Sequence, residues 1–169
     1  MASLFLRAAV TDDEPFLWSM LYEASHAAEQ GTASPEDLRA VPELARYVER
    51  WGTEGDLGIV GGDSAAALQG AAWVRLLDKE NAGYGYVADD IPELAIATSP
   101  AARRTGLGTA LLARLLDDAR AHYDGMSLSV RADNPARRLY TRLGFVEVEG
   151  SEIVNRAGTT SLAMLLRFR

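Results

Sequence analysis

The chain has no cysteine among its 169 residues. Disulfides, thiolate nucleophiles, cysteine-held zinc and protein-ligated iron–sulfur clusters are therefore excluded, and the redox compartment is left unconstrained. Histidine is nearly as scarce, with two residues, and no His, Asp or Glu cluster has the spacing of metal ligands, so no metal is expected. No Gly-x-Ser-x-Gly elbow is present for a serine hydrolase. No apolar run approaches a membrane span, and Arg7 interrupts the opening residues too early for a signal segment, so the expectation is a soluble cytoplasmic protein with no membrane partner. Internal repeats, low-complexity tracts and interdomain linkers are also missing. What is present is globular: 48% hydrophobic and 24% charged residues. At this length one domain over residues 1–169, with its own core, is the expectation.

Basic residues are the scarcer charge, 17 Lys+Arg against 24 Asp+Glu for a net −7. The imbalance is local. Residues 1–102 hold 6 basic and 17 acidic side chains, residues 103–142 hold 8 and 4, and residues 143–169 hold 3 and 3. An acidic chain with one Arg-rich island is a poor nucleic-acid binder and a fair host for a small polyanion on the island; arginines scattered at random in an acid-rich chain account for the same count.

Periodicity predicts an alternation of strands and helices around one sheet. Ser3 to Val10 reads as a strand, and Thr11 to Pro15 supplies the capping chemistry for a helix to about Ala28. A second helix is predicted from about Glu36 to Trp51, with Leu44, Val48 and Trp51 on one stripe. Gly55–Gly61 and Ala66–Leu77 read as strands of a hairpin turning at Gly62-Asp63-Ser64. Gly83-Tyr84-Gly85-Tyr86 through Asp90 is a loop or irregular strand. Glu93 to Thr98 is a strand ended by Ser99-Pro100, and Thr105 to about Tyr123 is the strongest helix, with Leu107, Leu111, Leu115 and Ala119 on one face. Met126 to Arg131 alternates as a half-buried strand. Asn134-Pro135 starts a short helix ending at Gly144; Phe145–Glu149 and Thr160–Phe168 are the last strands, separated by a polar loop.

The most informative stretch is Ser99-Pro-Ala-Ala-Arg103-Arg104-Thr105-Gly106-Leu107-Gly108 between a strand and a helix. Glycines here let backbone N–H groups and a helix N-terminus converge on one spot, which is how proteins bind phosphate. Leu111 stands where a dinucleotide fingerprint needs its third glycine, and no Gly-Lys-Ser/Thr exists for a P-loop. The glycines serve equally well as a plain turn from strand to helix.

Three pieces in order resemble the GCN5-related N-acetyltransferase (GNAT) superfamily. Arg103-x-x-Gly106-x-Gly108 resembles its pyrophosphate loop, Asn134-Pro-Ala-Arg-Arg-Leu-Tyr140-Thr-Arg-Leu-Gly144-Phe145 its second signature, and Leu6-Arg7-Ala8 through Asp12-Asp13 its first strand and helix start. Two departures stand out: Arg104 where the family commonly has Gly, and Asp133 at the family's Asn position, with Asn134 one residue later. The resemblance implies an α/β (α+β) acyltransferase fold, a mixed, mostly antiparallel sheet of six or seven strands with about four helices, and a cleft where central strands part. It implies acetyl-coenzyme A as acyl donor. The donor would be held by Ile96, Ala97 and Thr98 of the strand, by Arg103, Arg104, Thr105, Gly106, Leu107, Gly108 and Thr109 of the loop and helix start, and by Asn134, whose capping of the next helix already explains it.

The implied reaction is acetyl transfer to a primary amine of a small molecule by direct attack. The alternatives are acetylation of a protein N-terminus or lysine, and a non-catalytic acyl-coenzyme A-binding module; a homodimer accords with family habit. An attacking amine must be neutral and a departing thiolate benefits from a proton. Carried over from the family, Tyr140 is the acid, and Glu93, at the start of the cofactor strand, takes the amine's proton. Asp89, Asp90 and Glu93 beside an acidic first half predict a negative acceptor side drawing a cationic amine. His122 falls in the last turn of the Leu-rich helix, and His26 shares a helical face with Trp18 and Tyr22.

Overall fold

The computed structural model describes residues 3–168. Strand β1 (Phe5–Ala8) leads through a short 3-10 turn into α1 (Glu14–Ala24), and α2 (Pro42–Ala45) follows. The hairpin β2 (Leu57–Ser64) and β3 (Ala67–Arg75) precedes β4 (Glu93–Thr98), α3 (Leu107–Ala119), β5 (Gly125–Arg131) and α4 (Ala136–Arg142). Strands β6 (Val146–Glu147), β7 (Ile153–Val154) and β8 (Thr160–Arg167) complete the order. They form one sheet, β1-β2-β3-β4-β5-β8-β6, with β7 also on β8. Among the described residues only β4 and β5 pair in parallel.

Strand alternation divides the core between the two faces of the sheet. Leu94, Met126, Leu128 and Val130 lie with the α3 stripe Leu107, Leu111, Leu115 and Ala119, all buried, and with Tyr140 and Phe145. The opposite set, Ala71, Trp73 and Ala95, packs with Leu17, Trp18 and Leu21 of α1 and with Leu44, Val48 and Trp51. A loop, Gly83 to Asp90, brings the chain back to β4.

Several elements differ from the sequence expectation. The predicted second helix is broken: Pro35–Ala40 is a 3-10 helix, Val41 is extended (φ −113°, ψ 93°), and only Pro42–Ala45 is α-helical. Pro42 disfavours helical backbone at the residue before it. The first helix stops at Ala24, and His26 takes left-handed backbone (φ 55°) before a separate 3-10 turn, so it does not continue the Trp18–Tyr22 face. The hairpin turns at Ala65-Ala66; Gly62, Asp63 and Ser64 belong to β2, whose register shifts there as in a bulge. The sheet has eight strands because the loop read as polar holds β7, two exposed residues too short to alternate. Helix α3 ends at Ala119, leaving His122 in the turn that follows.

Candidate active site

A fork in the sheet creates the site. β4 and β5 share only the pairs Glu93↔Ser127 and Leu94↔Leu128. Beyond them β4 stays with β3 as far as Gly70↔Thr98, while β5 follows β8 to Arg131↔Ser161. The Ser99 N–H donates to the Gln69 carbonyl at 2.7 Å. By antiparallel alternation the backbone groups of Ile96 and Thr98 then turn away from β3, toward the fork. Between them Ala97 points its side chain to the α1 face. A cavity of about 840 Å³ fills the fork, lined by both strand arms and by Glu93, Tyr140, Arg103 and Asn134.

Arg103 ends the 3-10 turn after β4 and lines the cavity, its exposed guanidinium 3.3 Å from Glu23 at the end of α1. Arg104 to Thr109 follow it and are not among the lining residues. Arg104 has φ 64°. That left-handed conformation costs a residue with a Cβ about 1–2 kcal/mol, which is the physical reason glycine suits this position. Thr105 Oγ1 donates to the Ala102 carbonyl at 2.6 Å and accepts the Leu107 N–H at 3.4 Å, while the Leu107 side chain is buried in the core. Gly106 caps α3 at φ 88°, and a Cβ on it would meet no atom within 4 Å. Open space before a helix N-terminus fits a phosphate group approaching the backbone. The Gly108 and Thr109 N–H groups, in the first turn, have no backbone acceptor among the described residues.

Glu93 is buried at 3% exposure, contrary to the usual solvated place of a strand-start carboxylate. Burial pushes its carboxyl up to about 7, against smaller opposing pulls from the Tyr47 hydroxyl, the Gly85 backbone and Arg46. Tyr47, just past α2, donates its hydroxyl proton to Glu93 Oε2 and accepts the Tyr84 N–H at 2.8 Å. Burial first, and the adjacent carboxylate second, hold the Tyr47 hydroxyl well above its ordinary range. Glu93 Oε1 and Ser127 Oγ, on residues opposite one another across β4 and β5, are buried without hydrogen-bond partners among the described residues.

Tyr140 on α4 is buried, its ring edge-on to Phe145 at 5.8 Å, and burial raises its hydroxyl to about 12. The N-cap of α4 is Pro135 and not Asn134 as expected, but Asn134 Oδ1 accepts the Ala136 N–H at 2.8 Å just ahead of the helix, and Asn134 lines the cavity. His26 lines the cavity too, its Nδ1 3.4 Å from Glu29; burial, and then Arg131, lower its pKa.

Other residues complete the wall. Arg131 pairs with Glu29 at 3.2 Å, and Arg156, in the β7–β8 loop, reaches Gln30 at 3.0 Å and Glu43 at 2.6 Å. The sequence reading missed Tyr47, Ser127 and Arg156. Tyr47 has one weak signal, a polar-tipped aromatic three residues after Leu44 in an apolar stripe; the other two have none. Among the described residues no His, Asp or Glu group is placed to hold a metal, and no helix is long and apolar enough to cross a membrane.

Residues 65–168 match the model of the acetyltransferase (GNAT) domain. The chain belongs to the GNAT acetyltransferase family. No curated protein matches it by sequence. Solved structures share its fold: yncA from Salmonella typhimurium, solved with its cofactor acetyl-coenzyme A, superposes with TM-score 0.71 at 20% identity, covering 99% of this chain and 95% of that one. The ribosomal-protein-S18-alanine N-acetyltransferase of Escherichia coli gives 0.65 at 23% identity, over 98% and 94%. A spermidine N-acetyltransferase SpeG chimera of Vibrio cholerae and hSSAT gives 0.66 at 22%, over 97% and 95%. The family and fold expected from the motifs are met, and with them an acetyl-coenzyme A-dependent N-acetyltransferase.

Proposed function

We propose that this chain, acting as one acetyltransferase domain, acetylates the primary amine of a small molecule. The observation that carries the reading is the fork between β4 and β5, with the buried carboxyl group of Glu93 and the buried phenol of Tyr140 on the wall of a single cavity. Acetyl-coenzyme A, when bound, supplies an acyl group activated as a thioester. Ile96 and Thr98, with their backbone groups free on the fork side, would pair with an extended arm, Ala97 keeping the strand packed from behind. Arg103, Arg104 and the N–H groups of Gly106, Gly108 and Thr109 would hold the diphosphate, a charge-assisted set at a helix N-terminus. Thr105 and Leu107 act as scaffold for that loop, and Asn134 fixes the start of α4 beneath Tyr140.

Glu93 takes a proton from the amine, and a carboxyl group that ionises near 7 suits that task. Tyr140 Oη would supply a proton to the departing thiolate, because its raised pKa keeps it protonated throughout the neutral range. Arg156, by joining Gln30 and Glu43, closes part of the wall, which favours a small amine over a polypeptide acceptor.

The test begins with a melting-temperature titration. Acetyl-coenzyme A at 100 times its Kd should stabilise the protein by about 2.7 kcal/mol. Arg103→Glu should abolish most of that gain while melting normally without ligand. Thiol release is then read against small amines and amine-bearing peptides. Release with peptides alone, or an unaltered ligand response in Arg103→Glu, overturns the respective part of the reading.

A further inference from the structure

We infer that Tyr47 is a positioning residue for Glu93, and that the Gly83-Tyr84-Gly85 loop exists to lock the pair together. The inference rests on Glu93 lying in the reactive cavity, as proposed above. A phenol has one proton to donate, and Tyr47 Oη already accepts the Tyr84 N–H at 2.8 Å, so its own proton is directed to Glu93 Oε2. The contact spans 46 positions of sequence and is buried, which makes it a product of the fold and not of local chain geometry. The Tyr47 backbone is held as well: Trp73 Nε1 donates to the Tyr47 main-chain carbonyl at 2.8 Å.

The loop adds the second line of evidence. A Cβ on Gly83 would stand 2.3 Å from Glu93 Oε1 and 2.5 Å from Tyr47 Oη. A Cβ on Gly85 would stand 2.4 Å from the Leu128 carbonyl carbon on β5. Only glycine lets this backbone press against the carboxyl group and into the base of the fork. With Oε2 committed to Tyr47, Oε1 has no partner at hydrogen-bond distance among the described residues, and the Gly85 backbone exerts only a weaker pull on the carboxyl than Tyr47 does.

The other groups around Glu93 leave Tyr47 as its principal partner. Arg75, opposite on β3, is turned to Asp56 at 3.0 Å. Arg46 donates to the Ala82 carbonyl at 2.5 Å and exerts the weaker pull on the carboxyl. Tyr84 offers its backbone N–H to Tyr47, Glu23 of α1 pairs with Arg103, and Ser127 of β5 is a neutral hydroxyl.

The experiment reads Glu93 directly. In protein carrying ¹³C-labelled glutamate, the Glu93 carboxyl signal is assigned by its loss in Glu93→Gln and titrated without ligand. Tyr47→Phe keeps the ring and removes the donor, so the Glu93 midpoint should rise by about one pH unit, a tenfold weaker acid. Gly83→Ala should raise it as well by forcing the pair apart, and covers the case in which Tyr47→Phe fails to fold. An unmoved midpoint in either folded variant overturns the inference, since a packing role alone would leave the titration in place. The acid limb of kcat/KM is read separately. If it follows the midpoint to higher pH, Glu93 is also the proton acceptor; if Glu93→Gln retains the limb, that assignment fails while the Tyr47 inference is still decided by the carboxyl titration.

Discussion

Glu93 and Tyr140 are both buried on the wall of one cavity, and burial acts on both in the same direction. It disfavours the charged form, lifting Glu93 to about 7 and Tyr140 to about 12. Because the two starting values differ, Glu93 becomes a group that exchanges its proton near neutrality and Tyr140 one that keeps it. Tyr140→Phe should therefore leave acetyl-coenzyme A affinity unchanged and lower turnover by about 10²–10⁴-fold, the usual span for a lost general acid. Isothermal titration and steady-state rates check the two halves independently, and undiminished turnover would reduce Tyr140 to its edge-on packing against Phe145. Tyr140, Arg103 and Glu93 were legible in the sequence because they sit in or beside spaced motifs. Tyr47 was not, because its meaning comes from a partner 46 positions away.

Among the elements, those with a long periodic face were legible: β4, α3, β5 and β8 appear within a few residues of their predicted bounds. The segment from Glu36 to Trp51 was misread because its apolar stripe is real, with Leu44, Val48 and Trp51 buried, while its backbone is not one helix. Tertiary contacts hold it instead. Arg75 at the end of β3 reaches the carbonyls of Arg46 at 3.1 Å, Glu49 at 2.7 Å and Arg50 at 3.3 Å, and pairs with Asp56 at 3.0 Å, both side chains buried. Arg75→Met should lower unfolding free energy by about 3 kcal/mol, near the low end for breaking a buried pair, because Asp56 keeps the N–H groups of Gly52 and Thr53 at 3.0 Å. Replacing Asp56 by Leu in the same chain should recover part of the loss. Urea unfolding measures both, and a cost for Arg75→Met below about 1 kcal/mol would mean that the irregular backbone supports itself.

The molecule as a whole carries −7, and its acidic first 102 residues suggested a cleft that attracts cations. The fold pairs the two halves instead. Arg103 meets Glu23, Arg131 meets Glu29, and Arg156 meets Glu43, so arginines from the second half neutralise glutamates from the first. The cavity wall counts three glutamates, Glu23, Glu29 and Glu93, and three arginines, Arg103, Arg131 and Arg156. It has no net sign. The surplus acidic charge lies elsewhere, and beyond a Debye length of about 8 Å at physiological salt it contributes little to steering. Each pair is exposed enough to add little to stability, so added salt should barely alter the melting temperature. The expected outcome for catalysis follows from the same balance: raising salt should change kcat/KM for a polyamine-like acceptor and for a neutral-bodied amine by similar factors, each within about twofold. A polyamine-like acceptor losing tenfold or more while the neutral one holds steady would show an unbalanced negative field at the cleft mouth, and would return selection among acceptors to the charge asymmetry of the chain.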